Sequence, residues 1–138
     1  MKIAIAQITA HANLDQNLAT MEKFMAQAKS QGAELISFPE MAYFSGKKAD
    51  WVPIAAQYPE ILERFCDLAK THSLALIPGT LREPTEDPKK FYNTLLFIDS
   101  NGKVLTQYRK IFLYKADLPD RSYDETEYSK PGDELVTL

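Results

Sequence analysis

Glu34-Leu35-Ile36-Ser37-Phe38-Pro39-Glu40-Met41 is the stretch on which the reading of the fold turns. Leu35, Ile36 and Phe38 make a short apolar run of strand length. Pro39 stops it, because its ring removes a backbone donor and holds Phe38 extended. Glu40 then stands at the carboxyl end of a buried strand, where open α/β sheets place their ligands. Among Phe38, Met41, Tyr43 and Phe44, a carboxylate would lose hydration and its pKa would rise toward that of a general base. Position alone favours the plainer reading, a solvated glutamate that opens a loop.

Working outward, Lys2–Ile8 reads as a buried strand carrying the β-branched Ile3, Ile5 and Ile8. Asn13 or Asp15 can cap the next element, and Leu14, Leu18, Met21, Met25 and Ala28 recur at helical spacing. They predict an amphipathic helix over 14–30 that ends near Gly32. Residues 41–53, with Gly46, Lys47, Lys48 and Pro53, read as a loop. A second helix is expected over 58–72, with Ile61, Phe65 and Leu68 on one stripe and Leu62, Cys66 and Ala69 beside it. Leu74–Pro78 is a third strand, and Arg82–Lys90, with Pro84 and Pro88, a polar loop. Tyr92–Ile98 and Lys103–Ile111 are strands joined by Asp99-Ser100-Asn101-Gly102, a hairpin signal. The tail over Asp117–Asp133 is acidic and irregular, and Glu134–Leu138 begins another apolar strand. This order predicts an α/β fold with a partly parallel sheet closed by an antiparallel hairpin.

The chain of 138 residues is 45% hydrophobic and 25% charged, the balance of one soluble globular domain. Its net charge is −3, and its densest basic group, Tyr108-Arg109-Lys110, is too short to track a phosphate backbone, so nucleic acid is not expected as a partner. The first residues lack the pattern of a signal peptide, and no apolar run suffices for a membrane span. A cytoplasmic, membrane-free protein is the expectation. Cys66 is the single cysteine, which rules out an internal disulfide, and its helical neighbours Leu62 and Ala69 make it a structural thiol. The acidic tail matches no calcium loop and no histidine pair supports a transition metal, so neither metal nor cofactor is expected. Under strand alternation Val104, Thr106, Tyr108, Lys110 and Phe112 share one face. An ammonium held there needs an acidic partner and could stabilise an oxyanion. The alternative is a lysine snorkelling from a strand end.

Four fragments in order resemble the nitrilase (carbon–nitrogen hydrolase) superfamily. They are Lys2-Ile3-Ala4-Ile5-Ala6-Gln7 with Asn17 in the helix beyond, and the stretch from Glu34 to Met41. Then come Tyr92-Asn93-Thr94, Ile98-Asp99 and Gly102 leading into Tyr108-Arg109-Lys110-Ile111-Phe112-Leu113-Tyr114, and last Glu125 followed by Pro131-Gly132-Asp133. The resemblance implies a four-layer α-β-β-α sandwich of which these residues supply the first half. It makes Glu40 the general base, Lys110 the oxyanion stabiliser and Glu125 an auxiliary carboxylate that orients Lys110 and the leaving nitrogen. The substrate implied is a small linear amide or nitrile, attacked by a cysteine thiol, with no cofactor. In the family that cysteine lies on a strand shortly after the segment matching Pro131-Gly132-Asp133, and Cys66 does not correspond to it. Residues 1–138 are therefore expected to be a partial domain, inactive alone and prone to self-associate as a homo-oligomer through exposed sheet faces. The other expectation is a non-catalytic chain that pairs with, or regulates, a full-length homologue.

Overall fold

Strand β1 (Ile3–Ile5) runs into helix α1 (Leu14–Ser30) in a computed structural model that describes residues 1–137. Asn13 is the cap: its backbone is extended and its side chain accepts the Gln16 N–H at 3.0 Å, while Asp15 sits in the first turn. Strand β2 (Leu35–Ser37) follows, then helix α2 (Lys48–Ala55), helix α3 (Tyr58–His72) and strand β3 (Ala75–Ile77). The apolar stripes of α1 and α3 are buried as their spacing predicts, through Leu18, Met21 and Met25 on one and Ile61, Phe65 and Ala69 on the other.

Parallel pairing joins β1 to β2 and β2 to β3. Strands β4 (Thr80–Pro84), β5 (Phe91–Ile98) and β6 (Val104–Arg109) complete a six-stranded sheet. Leu76 lies opposite Ile98 and Thr80 opposite Leu95, so β3 and β4 follow one another along the same side of β5. The break between them is Gly79, whose φ of +84° and closeness to the Pro39 carbonyl leave no room for a Cβ. Antiparallel β6 takes the far side of β5, and Gly102, at φ +81°, turns the connecting hairpin. One sheet face supplies Ile36, Leu76, Leu81, Leu96 and Ile98 to a core shared with α1 and α3. On β1 the alternate residues point the other way, and Ile5 is 86% exposed. A small hairpin, β7 (Lys115–Leu118) with β8 (Arg121–Asp124), and the 3₁₀ turn η1 (Glu125–Glu127) follow.

Several expectations are corrected. The loop expected over 41–53 contains most of α2, despite Pro53 inside it. Asp50 accepts the Lys47 N–H at 2.9 Å, Trp51 Nε1 donates to the Gly46 carbonyl at 3.1 Å, and the indole packs edge-on against Phe91 and Tyr128. Those contacts offset the backbone bond that proline removes. Arg82, Glu83 and Pro84, expected in a polar loop, belong to β4, with Pro84 as its last residue, where a missing donor is tolerated. Strand β6 stops at Arg109, so Lys110 and Phe112 lie beyond it, and Phe112 is exposed. The acidic tail is not irregular throughout, since it holds β7 and β8. Residues 134–137 form no strand, and Leu138 lies outside the described residues. Among the described residues no helix is long and apolar enough to cross a membrane.

Candidate active site

Glu40 leaves the sheet where β2 ends, and several bonds fix the path of the chain there. Phe38 N–H donates to the Ile77 carbonyl at 2.9 Å, continuing the ladder by one residue. Met41 takes the left-handed conformation, φ 53°, and its N–H donates to Thr80 Oγ1 at 3.3 Å. Buried Asn17 of α1 then clips two loops together. Its Nδ2 donates to the carbonyls of His11 and Tyr43, at 2.7 and 2.9 Å, and its Oδ1 accepts the His11 N–H. A non-glycine residue at positive φ is held only where the surroundings over-determine it, and these bonds supply that constraint beside Glu40.

Lys110 is placed by the end of the β5–β6 ladder, with its N–H on the Asn93 carbonyl at 2.8 Å and its own carbonyl accepting the Gly132 N–H at 2.9 Å. Glu125 opens η1, where the Asp124 side chain caps the turn through the Thr126 N–H. The Glu125 N–H donates to the Tyr114 carbonyl at 2.9 Å, and the Tyr114 N–H donates to Glu125 Oε2 at 2.6 Å. The Lys110 ammonium lies 2.9 Å from Glu125 Oε2 and 3.4 Å from Glu40 Oε1. Asn93 Nδ2 donates to the same Glu40 oxygen. Glu40, Lys110 and Glu125, far apart in the chain, thus meet at one point.

Partial burial works against the charge on Lys110, but its bonds to Glu125 and the fields of both carboxylates outweigh that, so its pKa lies above the ordinary lysine value. The ammonium is charged at neutral pH. Lysine at this strand end finds the acidic partners its position demanded. The desolvation expected around Glu40 is a different matter. Phe38, Tyr43 and Phe44 turn into the core, and the Glu40 side chain is 54% exposed against 16% for Glu125.

Glu40 and Glu125 open onto a cleft of about 280 Å³, walled by Met41, Trp51, Arg82, Phe91 and Asn93. Cys66 is not among its lining residues. It sits half-buried on α3, and burial pushes its thiol pKa up. Among the described residues no three His, Cys, Asp or Glu side chains converge to hold a metal ion, and the two carboxylates of the site are bridged by an ammonium. Two residues went unassigned at the level of sequence. Asn93 is 3% exposed, and its signal was an amide in the middle of an apolar strand. Arg82 was hidden by the prolines around it.

The carbon–nitrogen hydrolase family profile matches residues 2–138, and the chain belongs to that family. It is 32% identical to the omega-amidase of Homo sapiens over 140 residues, covering 99% of this chain and 50% of that protein. It is also 32% identical to the deaminated glutathione amidase of Dictyostelium discoideum, over 98% of this chain and 50% of the other. Among solved structures, the Caenorhabditis elegans NitFhit protein superposes with a TM-score of 0.88 at 30% identity, over 97% of this chain and 34% of that one. An amidase from Nesterenkonia sp. does so at 0.81 and 29%, over 97% and 49%. The α/β expectation, part of a nitrilase-type sandwich, is borne out by these folds. The chain spans about half the length of the curated relatives it matches.

Proposed function

We propose that Glu40, Lys110 and Glu125 are the base, oxyanion stabiliser and orienting carboxylate of an amidase that acts on small linear amides through a cysteine acyl-enzyme. The observation that carries this reading is the meeting, at one charged lysine, of the two carboxylates that line an open cleft. The names of the relatives, omega-amidase and deaminated glutathione amidase, favour an amide over a nitrile. Glu40, the more exposed carboxylate, takes the proton from the thiol as sulfur attacks the amide carbon. The carbonyl oxygen gains the negative charge, and the Lys110 ammonium stabilises it. When the C–N bond breaks, the nitrogen leaves as ammonia or amine with the proton from Glu40. Water then gives a proton to Glu40 and attacks the thioester. The C–S bond breaks, the acid departs, and sulfur recovers that proton. Glu125, itself held by the Tyr114 N–H, fixes the ammonium toward the developing charge.

Cys66 is not the nucleophile in this reading. Reactive thiols sit in electropositive, partly exposed places with lowered pKa, whereas its helix position and raised pKa are those of packing. Residues 1–138 are accordingly part of a catalytic domain and inactive by themselves. The purified chain is expected to release no ammonia from a linear amide. Release that disappears on Cys66→Ala would overturn this point. Joined to the cysteine-bearing remainder of a family amidase, the chain is expected to hydrolyse the amide. Glu40→Gln and Lys110→Ala should then each cost about 10²-fold or more, and full activity in either variant would overturn the assignment of roles.

A second reading rests on the uncovered sheet face, where Ile3 and Ile5 are exposed. Apolar residues on an open face suit pairing with another chain, whether a complementary half or a second copy. Size-exclusion chromatography showing a monomer alone and in mixture with that half would count against it.

A further inference from the structure

One buried residue touches both the half-exposed carboxylate and the lysine of the site. Asn93 lies in β5 with 3% of its surface exposed. Its Nδ2 donates to Glu40 Oε1, and its backbone carbonyl accepts the Lys110 N–H at 2.8 Å. Charge fixes which end of the amide faces Glu40, since an ionised carboxylate only accepts and Nδ2 alone can donate. Lys110 Nζ meets the same Oε1 at 3.4 Å. Two donors thus converge on one oxygen of Glu40, and among the described residues no donor reaches the other, Oε2. With the Glu40 side chain 54% exposed, packing does little to hold it, and these two bonds select its rotamer.

Fold stability alone gives no reason for this amide. Asn93 Oδ1 is buried and meets no donor among the described residues, and an unpaired buried acceptor costs stability. A leucine of similar size would avoid that cost in a strand that continues as Leu95, Leu96 and Phe97. The adjacent Thr94 shows the contrast. Strand alternation sends it to the opposite face, where its hydroxyl donates to Glu83, the partner of Arg109.

We infer that Asn93 is a positioning residue, which anchors Glu40 by Oε1 and so leaves Oε2 as the oxygen that takes and returns a proton. Through its carbonyl it also sets Lys110 beside that anchor, so a single residue of β5 spaces the carboxylate from the ammonium. A carboxylate free to change rotamer would present its oxygens at variable distance, and misplacement of that kind is costly in rate. The proton transfer rests on the amidase reading, whereas the hold of Asn93 on Glu40 does not.

The first test uses the 138-residue chain and zero-length carbodiimide coupling, which joins a carboxylate to an ammonium only where the two are in contact. Peptide mass spectrometry reads the Lys110–Glu40 link against the Lys110–Glu125 link, whose partners stand 2.9 Å apart and serve as internal reference. Asn93→Leu is expected to lower that ratio about tenfold, the weight of one charge-assisted hydrogen bond. Asn93→Asp keeps the shape without the donor and should do the same, which secures the result if the leucine variant folds poorly. Thr94→Val, on the other face, should leave the ratio unchanged. In the joined, cysteine-bearing protein both Asn93 variants should lose about tenfold in kcat with little change in KM. A ratio that survives in both Asn93 variants, or that falls as far in Thr94→Val, would overturn the inference. So would undiminished kcat in Asn93→Leu beside a working wild type. An Asn93-dependent ratio in a chain whose joined form hydrolyses no amide would uphold the anchor and remove the amidase reading.

Discussion

Arg109 and Lys110 are consecutive residues at one strand end, yet each anchors an ion cluster of a different kind on its own side of the sheet. Arg109 grips Glu83 through Nε at 2.9 Å and Nη2 at 2.5 Å, and Thr94 Oγ1 donates to the same carboxylate at 2.7 Å. The Glu83 side chain is 13% exposed, and its bonding capacity is largely used. Burial raises its pKa, but the bonds from Arg109 and Thr94 outweigh that and leave it below the usual carboxylate value. Lys110 meets two carboxylates, of which Glu40 is half-exposed and contacted at a longer 3.4 Å. The first cluster is closed and ties three strands, β4, β5 and β6, together. The second keeps one oxygen acceptor open to a cleft, as proton transfer to and from a ligand requires.

Substitutions can break that contrast, and the largest effect should be on turnover. In the joined, cysteine-bearing protein Glu40→Gln is expected to cost about 10²-fold or more in kcat with little change in melting temperature. Glu83→Gln should show the reverse pattern. Equal losses of activity in the two variants would erase the distinction between the clusters.

Next in size is Gly79→Ala. A Cβ there would lie 1.9 Å from the Pro39 carbonyl oxygen, at a φ of +84°. About 2 kcal/mol or more should be lost in denaturant unfolding, and the displacement of Pro39 should carry Glu40 with it. A neutral result would mean that Glu40 is not held by this contact.

Glu83→Ala leaves Thr94 and Arg109 without their acceptor, and about 1–3 kcal/mol of stability is expected to go. The pH dependence sharpens the same point. Because folding lowers the Glu83 pKa from 4.5, its contribution is complete above that value and is lost as pH falls through the lower folded one. Folding raises the Lys110 pKa from 10.5, so its contribution is complete below that value and is lost as pH rises through the higher folded one. Unfolding curves of wild type and Glu83→Gln should therefore converge in acid, and those of wild type and Lys110→Met in alkali. Parallel curves across either range would contradict the corresponding pairing. Cys66→Ala should be the mildest change, a modest loss of stability with no effect on turnover in the joined protein.

The elements legible in the sequence are those whose signal is local. Leu18, Met21 and Met25 announce α1 by their spacing, Asn13 or Asp15 announces its start, and Asp99 to Gly102 announce the hairpin. Glu40 and Lys110 were legible as positions at strand ends, but position alone favoured the bland reading of each. Family resemblance joined them to Glu125, and the structure brings all three within bonding distance. Helix α2 and strand β4 were misread because Pro53 and Pro84 signal interruption locally. Packing of Trp51 against Phe91 and Tyr128, and pairing of Glu83 with Tyr92, are long-range facts. Asn93 and Arg82 were missed for the same reason, since their roles depend on which residues lie across the strand pair and above it.

By itself, then, the stretch from Glu34 to Met41 determined a buried strand, its stop at Pro39 and a carboxylate at its mouth, because strand length and proline geometry act within a few residues. Only the tertiary structure decided that this carboxylate shares an ammonium with Glu125, that it stays half-exposed, and that Arg82 packs against Trp51 and Phe91 in the same cleft. Charge pairing and desolvation depend on distances between chain segments dozens of residues apart, and those distances are fixed by the closing of the sheet and the packing of its loops.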